Sequence, residues 1–476
     1  MSKGLFEDER GIALLTVIGV MLIVTILSFG VITIAKSDLV LSERDEEYTE
    51  ALHIAEAGIQ KALWQLEQLG STMQPRTFAI NVGSGVAEVN AVQDGTNQWY
   101  WTIESTGTSG QMKRKIKVSV FNFSLWNMNM GLGEANSMAS GGNGILGTTS
   151  IDGPFYVRGN VELSGSSEIT GGPLFIKTGT LRFMNAASTL GTLSKPVAAY
   201  IEPADGNEDI VDRHGNSLEP GHPQVNVSQL SNQVPDIKIP PLESLTAYRT
   251  RAASESEETC TAYPGIISTQ SSVSGYKVLD NDTNLESGTL SSRPMYYIDS
   301  TINDFGVPGG EFAWDKTNKR LYVDGTIFVD GNLTIGDSAN SEISYYGRGT
   351  IVVNGEIFVK GMLRPPFHNG SYDMDGLHVL GLVTAETIYI DISGSNAAPT
   401  RSVPDITGAF FATKKVKISS NNTSFVGSML AGMLDFADGT NNSHLYTHAA
   451  LPSFLPPSLP GSGGFLTMTA SWREVQ

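Results

Sequence analysis

The sequence is poor in charge and rich in glycine. Asp, Glu, Lys and Arg make up 17% of its 476 residues, below the roughly one quarter that is usual for globular domains. Glycine alone fills 51 positions. Few charges, together with many Gly, Ser, Thr and Asn residues, predict many turns and therefore a β-rich body. The length is sufficient for two or three domains with cores of their own.

A basic surface and a set of cysteines are also lacking. The formal net charge is −18, and the only Lys/Arg cluster, residues 113–117, alternates with apolar residues like one face of a strand. A protein that binds nucleic acid needs a basic face, so nucleic acid is not expected among the partners. The single cysteine, Cys260, excludes an internal disulfide and a thiolate metal site. We interpret it as a loop residue.

Motifs for catalysis and cofactor binding are scarce. There is no Gly-x-Ser-x-Gly elbow and no Gly-Lys dipeptide, and GNGILG at 142–147 neither follows a strand nor opens a helix. His444 and His448 lack the Glu of a zinc-protease helix, and the calcium-like start at 280–291 lacks the required Gly and Glu. The sequence therefore predicts no enzyme activity, no cofactor and no metal site.

One long apolar run stands out against this polar background. Residues 11–35 carry no charge over 25 positions, whereas about 20 helical residues suffice to cross a bilayer core. A secretory signal has a shorter apolar core and a small-x-small cleavage site, so a plain cleaved signal is disfavoured. The run predicts a single membrane helix. Its apolar side chains include Leu14, Leu15, Val17, Ile18, Leu22 and Ile26.

The next segment predicts that this helix continues beyond the membrane. Large apolar residues recur at steps of three and four, which makes one packing face. The members of this face are Leu52, Ala55, Ile59, Leu63, Leu66 and Leu69. Residues 43–47 form a polar collar before it, and Gly70 offers a stop. Because no proline lies between residues 12 and 69, both parts can form one helix about 87 Å long.

The order of these features resembles the N-terminal region of type IV pilin-like proteins. A short polar leader that ends in Arg10-Gly11 precedes IALLTVIGVMLIVTIL and then ALHIAEAGIQKAL. Over about residues 1–70, the chain is similar to PilX-type minor pilins and to the K-type tip pseudopilin of type II secretion. The resemblance implies a leader at 1–11, cleavage by a prepilin peptidase between Gly11 and Ile12, and methylation of the new N-terminus.

Two residues depart from the family pattern. Pilins usually begin the mature chain with Phe and carry Glu at its fifth position, where this sequence has Ile12 and Thr16. In the family that Glu pairs with the N-terminal amine of an adjacent subunit, which Thr16 cannot do. The tip pseudopilin also lacks it, so Thr16 indicates either a tip or initiating subunit or a weaker assembler. A rival cut after Gly4 would leave three acids at the start of the filament core and is disfavoured.

The rest of the chain predicts two β-rich parts. Residues 71–125 contain three β-rich runs, at 77–92, 98–110 and 111–123, separated by Gly turns. A long helix that covers a small antiparallel sheet is also the pilin arrangement. Over 126–476, short apolar runs are closed by apolar-x-Gly triplets, and VDGTIFVDG at 323–331 is matched by VNGEIFVKG thirty residues later. Such repeats are typical of a β-helix, with a β-sandwich as the alternative.

Two segments of this body are predicted to differ from the coils. We interpret the polar, turn-rich stretch at about 203–310 as an insertion hung on the stack. The C-terminal end is Pro-rich and then apolar. We expect it to pack along the body, because Phe454, Phe465 and Trp472 would otherwise be exposed.

Together these patterns predict an α+β protein: a helix at 12–70, a small antiparallel sheet at 71–125 and a large all-β body at 126–476. The resemblance implies a minor pilin or pilus-associated protein that displays this body at or near a filament tip for assembly initiation or adhesion. Its implied partners are the inner membrane, the prepilin peptidase, other pilins and pilus assembly proteins, with final location on a pilus or the cell surface. The alternative is a membrane-tethered β-helical enzyme or binder that acts on surface polysaccharide, which would itself be a ligand of the body.

Overall fold

The computed structural model describes residues 9–69, 74–95, 99–131, 149–203, 210–253, 278–280, 283–284, 295–298, 311–315, 318–336, 338, 341–392, 400–419, 422–436, 443–448, 451–461 and 466–475. The chain forms two compact units, residues 1–120 with 471–476 and residues 121–470. Its α-helices are α1 (Glu9–Leu69) and α2 (Leu245–Ala253), and short 3-10 helices lie at Leu125–Asn127 and Leu451–Ser453.

The strands are numbered in chain order. The first four are β1 (Arg76–Val82), β2 (Gly85–Gln93), β3 (Tyr100–Ser109) and β4 (Met112–Phe123). The next eleven are β5 (Asn129–Gly131), β6 (Ser150–Asp152), β7 (Phe155–Arg158), β8 (Val161–Leu163), β9 (Glu168–Thr170), β10 (Leu174–Lys177), β11 (Leu181–Phe183), β12 (Thr189–Leu190), β13 (Val197–Glu202), β14 (Ile210–Asp212) and β15 (Val227–Ser231).

The remaining strands follow α2. They are β16 (Val278–Asp280), β17 (Thr283–Asn284), β18 (Met295–Ile298), β19 (Glu311–Asp315), β20 (Arg320–Asp330), β21 (Leu333–Ile335), β22 (Glu342–Tyr346), β23 (Arg348–Val353), β24 (Ile357–Val359), β25 (Met362–Arg364), β26 (Phe367–His368), β27 (Ser371–Tyr372), β28 (Val379–Thr384), β29 (Thr387–Ile390), β30 (Ile406–Ile418), β31 (Ser424–Phe436), β32 (His444–Thr447) and β33 (Leu466–Val475).

The first unit is a long helix on a small antiparallel sheet, as predicted. Helix α1 runs unbroken for 61 residues, because no proline interrupts it. The sheet has the order β1-β2-β3-β4-β33. The predicted run at 77–92 forms two strands rather than one, since Gly83 adopts a left-handed φ of 57° and reverses the chain between β1 and β2.

The C-terminal strand β33 differs from the expectation. It joins the small sheet beside β4, whereas the sequence led us to expect that it would pack along the body. Trp472 in this strand stays 44% exposed, so it is not covered as predicted. The earlier part of the C-terminal end, residues 451–461, does pack along the body as predicted, although Phe454 there stays 37% exposed. Phe465 lies outside the described residues. The first unit is therefore built from both ends of the chain.

The second unit is a parallel β-helix. Each coil supplies short strands to as many as three walls, and most strands pair in parallel with the strand at the same place in the next coil. Strand β19 instead pairs antiparallel with both β18 and β20, and β26 pairs antiparallel with β27. We call the wall that contains β22, β25, β32, β6, β9 and β12 wall C. Inside it, one apolar ladder runs through eight consecutive coils. From one end to the other its members are Ile343, Leu363, Ile406, Phe425, Leu445, Ile151, Ile169 and Leu190, all fully or almost fully buried.

The first coil of the chain lies in the middle of the stack and not at one of its ends. The first coil, with β5 and β6, pairs on one side with β7 and β9 and on the other with the last coil, β31 and β32. We call this junction of first and last coils the central seam. The first half of the chain builds outward from the seam to β15, and the second half returns toward it from β16. Residues 210–231, predicted to belong to an insertion, are therefore part of the stack.

The true repeat also differs from the one seen in the sequence. Gly325 pairs with Gly349, and Ile327 with Ile351, so this coil is 24 residues long rather than thirty. Ile357 of the second matching segment pairs with Leu333 on another wall. The two segments have similar sequences because every wall needs the same alternation of inward apolar residues.

Wall A, which contains β23, β28, β5, β7, β10 and β13, is apolar on its outer side as well. Its outward ladder is buried along its whole length: Phe328, Val352, Val383, Phe411, Leu430, Met130, Tyr156, Phe175 and Tyr200. Phe121 packs against the rings of Phe175 and Tyr200 at one end of the ladder, and two further segments of the same unit contact the wall. At one end the Tyr156 hydroxyl donates to Pro235 O at 3.0 Å, and at the other Arg249 of α2 lies over the Phe328 ring. Further along, Thr350 donates to Pro457 O at 2.5 Å. The crossover at 232–253 and the segment at 451–461 thus cover this wall.

Candidate functional site

The apolar part of α1 is exposed on every side. The predicted membrane-facing residues range from 53% exposure at Val17 to 77% at Leu15, and exposed large apolar residues continue as far as Leu41. An 18-residue window of this helix reaches a mean hydropathy of 2.7. By length and composition it is able to cross a membrane. Within the part of the chain that the structure describes, no other segment buries these side chains, so this half of α1 is suited to an apolar environment supplied from outside the chain.

The polar groups within this apolar stretch are satisfied internally. The hydroxyls of Thr25, Ser28 and Thr33 each donate to the carbonyl four residues earlier, at 2.7, 2.7 and 2.8 Å. A hydroxyl bonded to its own helix does not need water. The stretch can therefore lie in lipid or against apolar helices without leaving these donors unpaired.

The predicted processing site lies at the start of the same helix. Helix α1 begins at Glu9, so the backbone of Gly11 and Ile12 is helical in the unprocessed chain. The leader residues 1–8 lie outside the described residues. Cleavage between Gly11 and Ile12 stays a prediction.

The predicted packing face of α1 meets the small sheet. Ala55, Ile59 and Leu66 are completely buried against β2, β3 and β4, while Leu52 and Leu63 are partly buried at the margin. Leu69 is the last residue of the helix.

The sequence analysis predicted only Ala55 at the centre of this contact and missed its neighbours there. The centre consists mainly of small residues, namely Ala51, Ala55, Gly58 and Ala62. Their spacing of four, three and four is present in ALHIAEAGIQKA and is the signal that could have found them.

Small residues at this face let the helix and the sheet come close together. A Cβ at Gly58 would overlap Ser105 Oγ and stand 2.9 Å from Val89 Cγ2. From the other side, a Cβ at Gly107 would overlap the backbone of Ala51 and Ala55. Both glycines are therefore required by close approach. The sheet fixes the direction in which the exposed half of α1 projects.

The end of this contact that is nearest to the exposed apolar stretch is acidic. Glu50 accepts hydrogen bonds from Ser84 Oγ at 2.6 Å and Ser109 Oγ at 2.5 Å, which tie the helix to the turn after β1 and to the end of β3. Beside it lies an open groove of about 690 Å³. The lining residues of this acidic groove are Asp45, Glu46, Thr49, Glu50, His53, Ile54, Val82 and Gly83.

Arg114 connects three elements of the first unit. Its guanidinium forms an ion pair with Glu474 of β33 and lies 3.6 Å from the centroid of the Tyr48 ring on α1. The neighbouring Lys115 and Lys117 pair instead with Glu104, at 2.6 and 3.1 Å. Their bonds to Glu104 hold the pKa of that carboxyl below its usual range. The predicted basic face of β4 is thus engaged with acids of its own chain.

One cluster of titratable groups with shifted pKa values lies on the body. In a 14-residue arm at 365–378, His378 accepts the Gly347 amide at 3.0 Å on Nδ1, and its Nε2 lies 3.7 Å from Asp373. Burial lowers the pKa of His378. Burial also raises the pKa of Asp373, and the adjacent Asp375 carboxyl adds to that rise. These groups fasten the arm to the coil beside it.

The sequence candidates for metal binding do not assemble into a site. His444 stacks on Tyr446 with ring centroids 6.0 Å apart, and burial lowers the pKa of both His444 and His448. Within the described ranges, no group of three or more His, Cys, Asp or Glu side chains could hold a metal ion. Cys260, residues 142–147 and most of 280–291 lie outside those ranges.

Comparisons with known proteins find a structural likeness but no match by sequence. No protein-family model matches the chain, and no curated protein matches it. Among solved structures, the competence-associated pilin ComZ from Thermus thermophilus is similar to this chain, with a TM-score of 0.42 and 15% sequence identity. The alignment covers 90% of this chain and 97% of that one.

Proposed function

We propose that this protein is a pilin-like filament subunit that carries a large β-helical body. The observation that carries the proposal is α1: one unbroken helix whose first half is apolar and exposed on all sides and whose second half is packed on a small sheet. A simple membrane tether needs no rigid continuation. A helix that must leave lipid and enter an array of other helices does need one, because the sheet then sets its direction.

The same helix serves two successive environments. Before assembly, the uncharged run at 11–35 holds the protein in the inner membrane as a single span. After cleavage between Gly11 and Ile12 by a prepilin peptidase, the helix packs among the apolar helices of other pilins, and the body stands outside on a pilus or on the cell surface. No catalytic role is proposed for the body.

A position at or near the filament tip suits this subunit best. The body contributes about 350 residues, and such bulk on every subunit would crowd a thin filament. Thr16 stands where most pilins have Glu, so this chain offers no carboxylate to the N-terminus of a neighbour above it. The proposed role is therefore that of a minor pilin in assembly initiation or adhesion.

The N-terminal residue of the protein from its native host tests this proposal. Mass spectrometry of the N-terminal peptide should find a chain that starts at Ile12, as N-methyl-isoleucine. A Gly11→Leu variant should keep the leader, whereas the matched Gly4→Leu variant should be processed normally. A wild-type chain that still starts at Met1 or Ser2 would overturn the proposal and favour a tethered β-helix that acts on surface polysaccharide.

A further inference from the structure

The acidic groove can receive a long basic side chain. Its lining combines the apolar side chains of Ile54 of α1 and Val82 of β1 with the carboxylates of Asp45, Glu46 and Glu50. Apolar and acidic groups together suit the aliphatic stem and the charged head of Lys or Arg. The groove has a volume of about 690 Å³, which is ample for such a side chain.

The acids around the groove have no cation of their own. Among the residues that the structure describes, no Lys or Arg forms an ion pair with Asp45, Glu46 or Glu50. Two acids elsewhere in the unit are paired: Glu104 with two lysines and Glu474 with Arg114. Glu50 is held instead by two neutral hydroxyls, which fix its direction and leave its charge uncompensated.

The groove also continues the surface on which subunits are proposed to meet. The exposed apolar stretch of α1 ends at Leu41, and the groove begins at Asp45, about 6 Å further along the helix axis. A helix that lies against the apolar stretch therefore passes the groove if it continues for one or two turns. The side chains of that neighbouring helix that lie level with the groove would face Asp45, Glu46 and Glu50.

We propose that the acidic groove receives a Lys or Arg side chain from the helix of a neighbouring subunit, so that it selects a partner that is basic just outside its apolar span. The inference rests on the proposed filament function and names the partner of its helix. A second copy of this chain in register would bring like charges together and be rejected. The helix is thus specific for a different subunit.

Binding of three synthetic peptides to the full-length protein tests this selection. All three copy residues 12–50, so that their apolar spans are identical. One keeps the acids at Glu43, Asp45, Glu46, Glu47 and Glu50, the second has Gln at these positions, and the third has Lys. Fluorescence anisotropy of each labelled peptide in detergent micelles should give a dissociation constant about ten-fold lower for the Lys peptide than for the Gln peptide, as a few partly exposed ion pairs would produce.

A pair of matched protein variants locates the effect. The Asp45→Asn/Glu46→Gln variant should lose most of the preference for Lys over Gln. The Glu67→Gln/Glu88→Gln variant removes the same charge from exposed positions of the same unit that do not line the groove and should keep it. General attraction to an acidic protein would affect both variants equally. Raising the salt to about 0.5 M should reduce the preference in the wild type.

The outcomes separate this inference from the proposed function. If the Lys and Gln peptides bind equally well, or if both variants lose the preference together, the groove does not select a basic partner. In either case, α1 remains an association helix. If no peptide binds, the apolar helix does not associate, and the inference falls together with the filament function.

Discussion

Gly58 is the residue at which the packing of α1 depends most sharply on size. A side chain there would meet Ser105, Val89 and Ala87 at once. We predict that Gly58→Leu lowers the free energy of unfolding of the first unit by about 1–3 kcal/mol, since the rigid sheet yields little to overpacking. Chemical denaturation followed by the fluorescence of Trp101, which is buried in this core, measures the loss.

Gly30 supplies the matched control for this substitution. It lies on the same helix, and a Cβ there would have nothing within 4 Å. Gly30→Leu should therefore leave the unfolding of the first unit unchanged. Equal losses from the two variants would mean that helix α1 responds to the residue type and not to contact with the sheet.

His378 should make the stability of the body depend on pH. Burial lowers its pKa in the folded chain, so the unfolded chain takes up a proton that the folded chain rejects. Stability therefore falls as the pH drops below about 6.5, the pKa of an unperturbed histidine. The loss is complete once the pH is below the lowered pKa of the folded state. Melting temperatures between about pH 7.5 and 5.5 measure it.

Two variants isolate this contribution from those of the other buried histidines. His378→Gln removes the titration but can still accept the Gly347 amide, so its melting temperature should fall less on acidification than that of the wild type. His214→Gln, at an exposed position elsewhere in the same unit, should follow the wild type. Identical pH profiles for all three proteins would assign the acid sensitivity to groups elsewhere, such as His444 and His448.

The sequence predicted the residues of the packing face that are large and missed most of those that are small. Apart from Ala55, the periodic pattern was counted on leucine and isoleucine, and Ile59 and Leu66 lie buried in the contact. Gly58 and Ala62 carry too little apolar surface to register in such a pattern. Their importance comes from the distance between helix and sheet, which a sequence does not contain.

One side-chain contact links strand β33 to two other elements of the first unit. Arg114 joins this strand through Glu474 and also reaches Tyr48 of the helix. We predict that Arg114→Met raises the population of the open form of β33 by an amount equivalent to about 1–2 kcal/mol, because the pair is only partly buried. Hydrogen exchange of the amides at 466–475 measures this opening.

Lys113 provides the comparison for the Arg114 contact. It lies next to Arg114 on β4 and is exposed, so Lys113→Met removes the same charge without touching β33. Exchange at 466–475 should then match the wild type. Faster exchange in both variants to the same degree would trace the effect to net charge and not to the contact with Glu474.

Individual helices and strands were easier to predict from the sequence than the pairing of one strand with another. The uninterrupted helix, the strands at 98–123 and the β-helical repeat were all predictable, because periodicity and turn residues specify them locally. The partner of β33 was not, since joining β4 requires a contact between the two ends of the chain. The repeat length was misjudged for a related reason. Two walls of a coil have similar sequences, and only the pairing of the strands shows which segments lie in the same wall.

The whole body should unfold as one unit because its central seam joins both halves of the chain. Leu445 lies in the buried wall C ladder at this seam, between Phe425 and Ile151. We predict that Leu445→Ala costs about 2–5 kcal/mol and lowers the exchange protection of β10 and β23 together. Native-state hydrogen exchange compares the two halves directly.

A substitution at the end of the stack should behave differently. Ile210 of β14 is almost completely buried, but it lies near the outer end of the first half. Ile210→Ala should loosen β11 and β14 while β23 keeps its protection, since an end coil frays independently of its stack. Equal effects at both sites would show that every coil contributes alike to cooperativity.

The body cannot finish folding until its last coil has been synthesised and has paired with the first coil at the central seam. Ser428 donates to Met128 O at 2.5 Å across 300 residues of chain, and β5 acquires its second neighbour only when β31 is present. At about 5–20 residues per second, synthesis alone separates these partners by about 15–60 s. Throughout that interval β5 presents a bare edge to other chains, so the slowest and most aggregation-prone step of maturation is the arrival of the last coil beside the first.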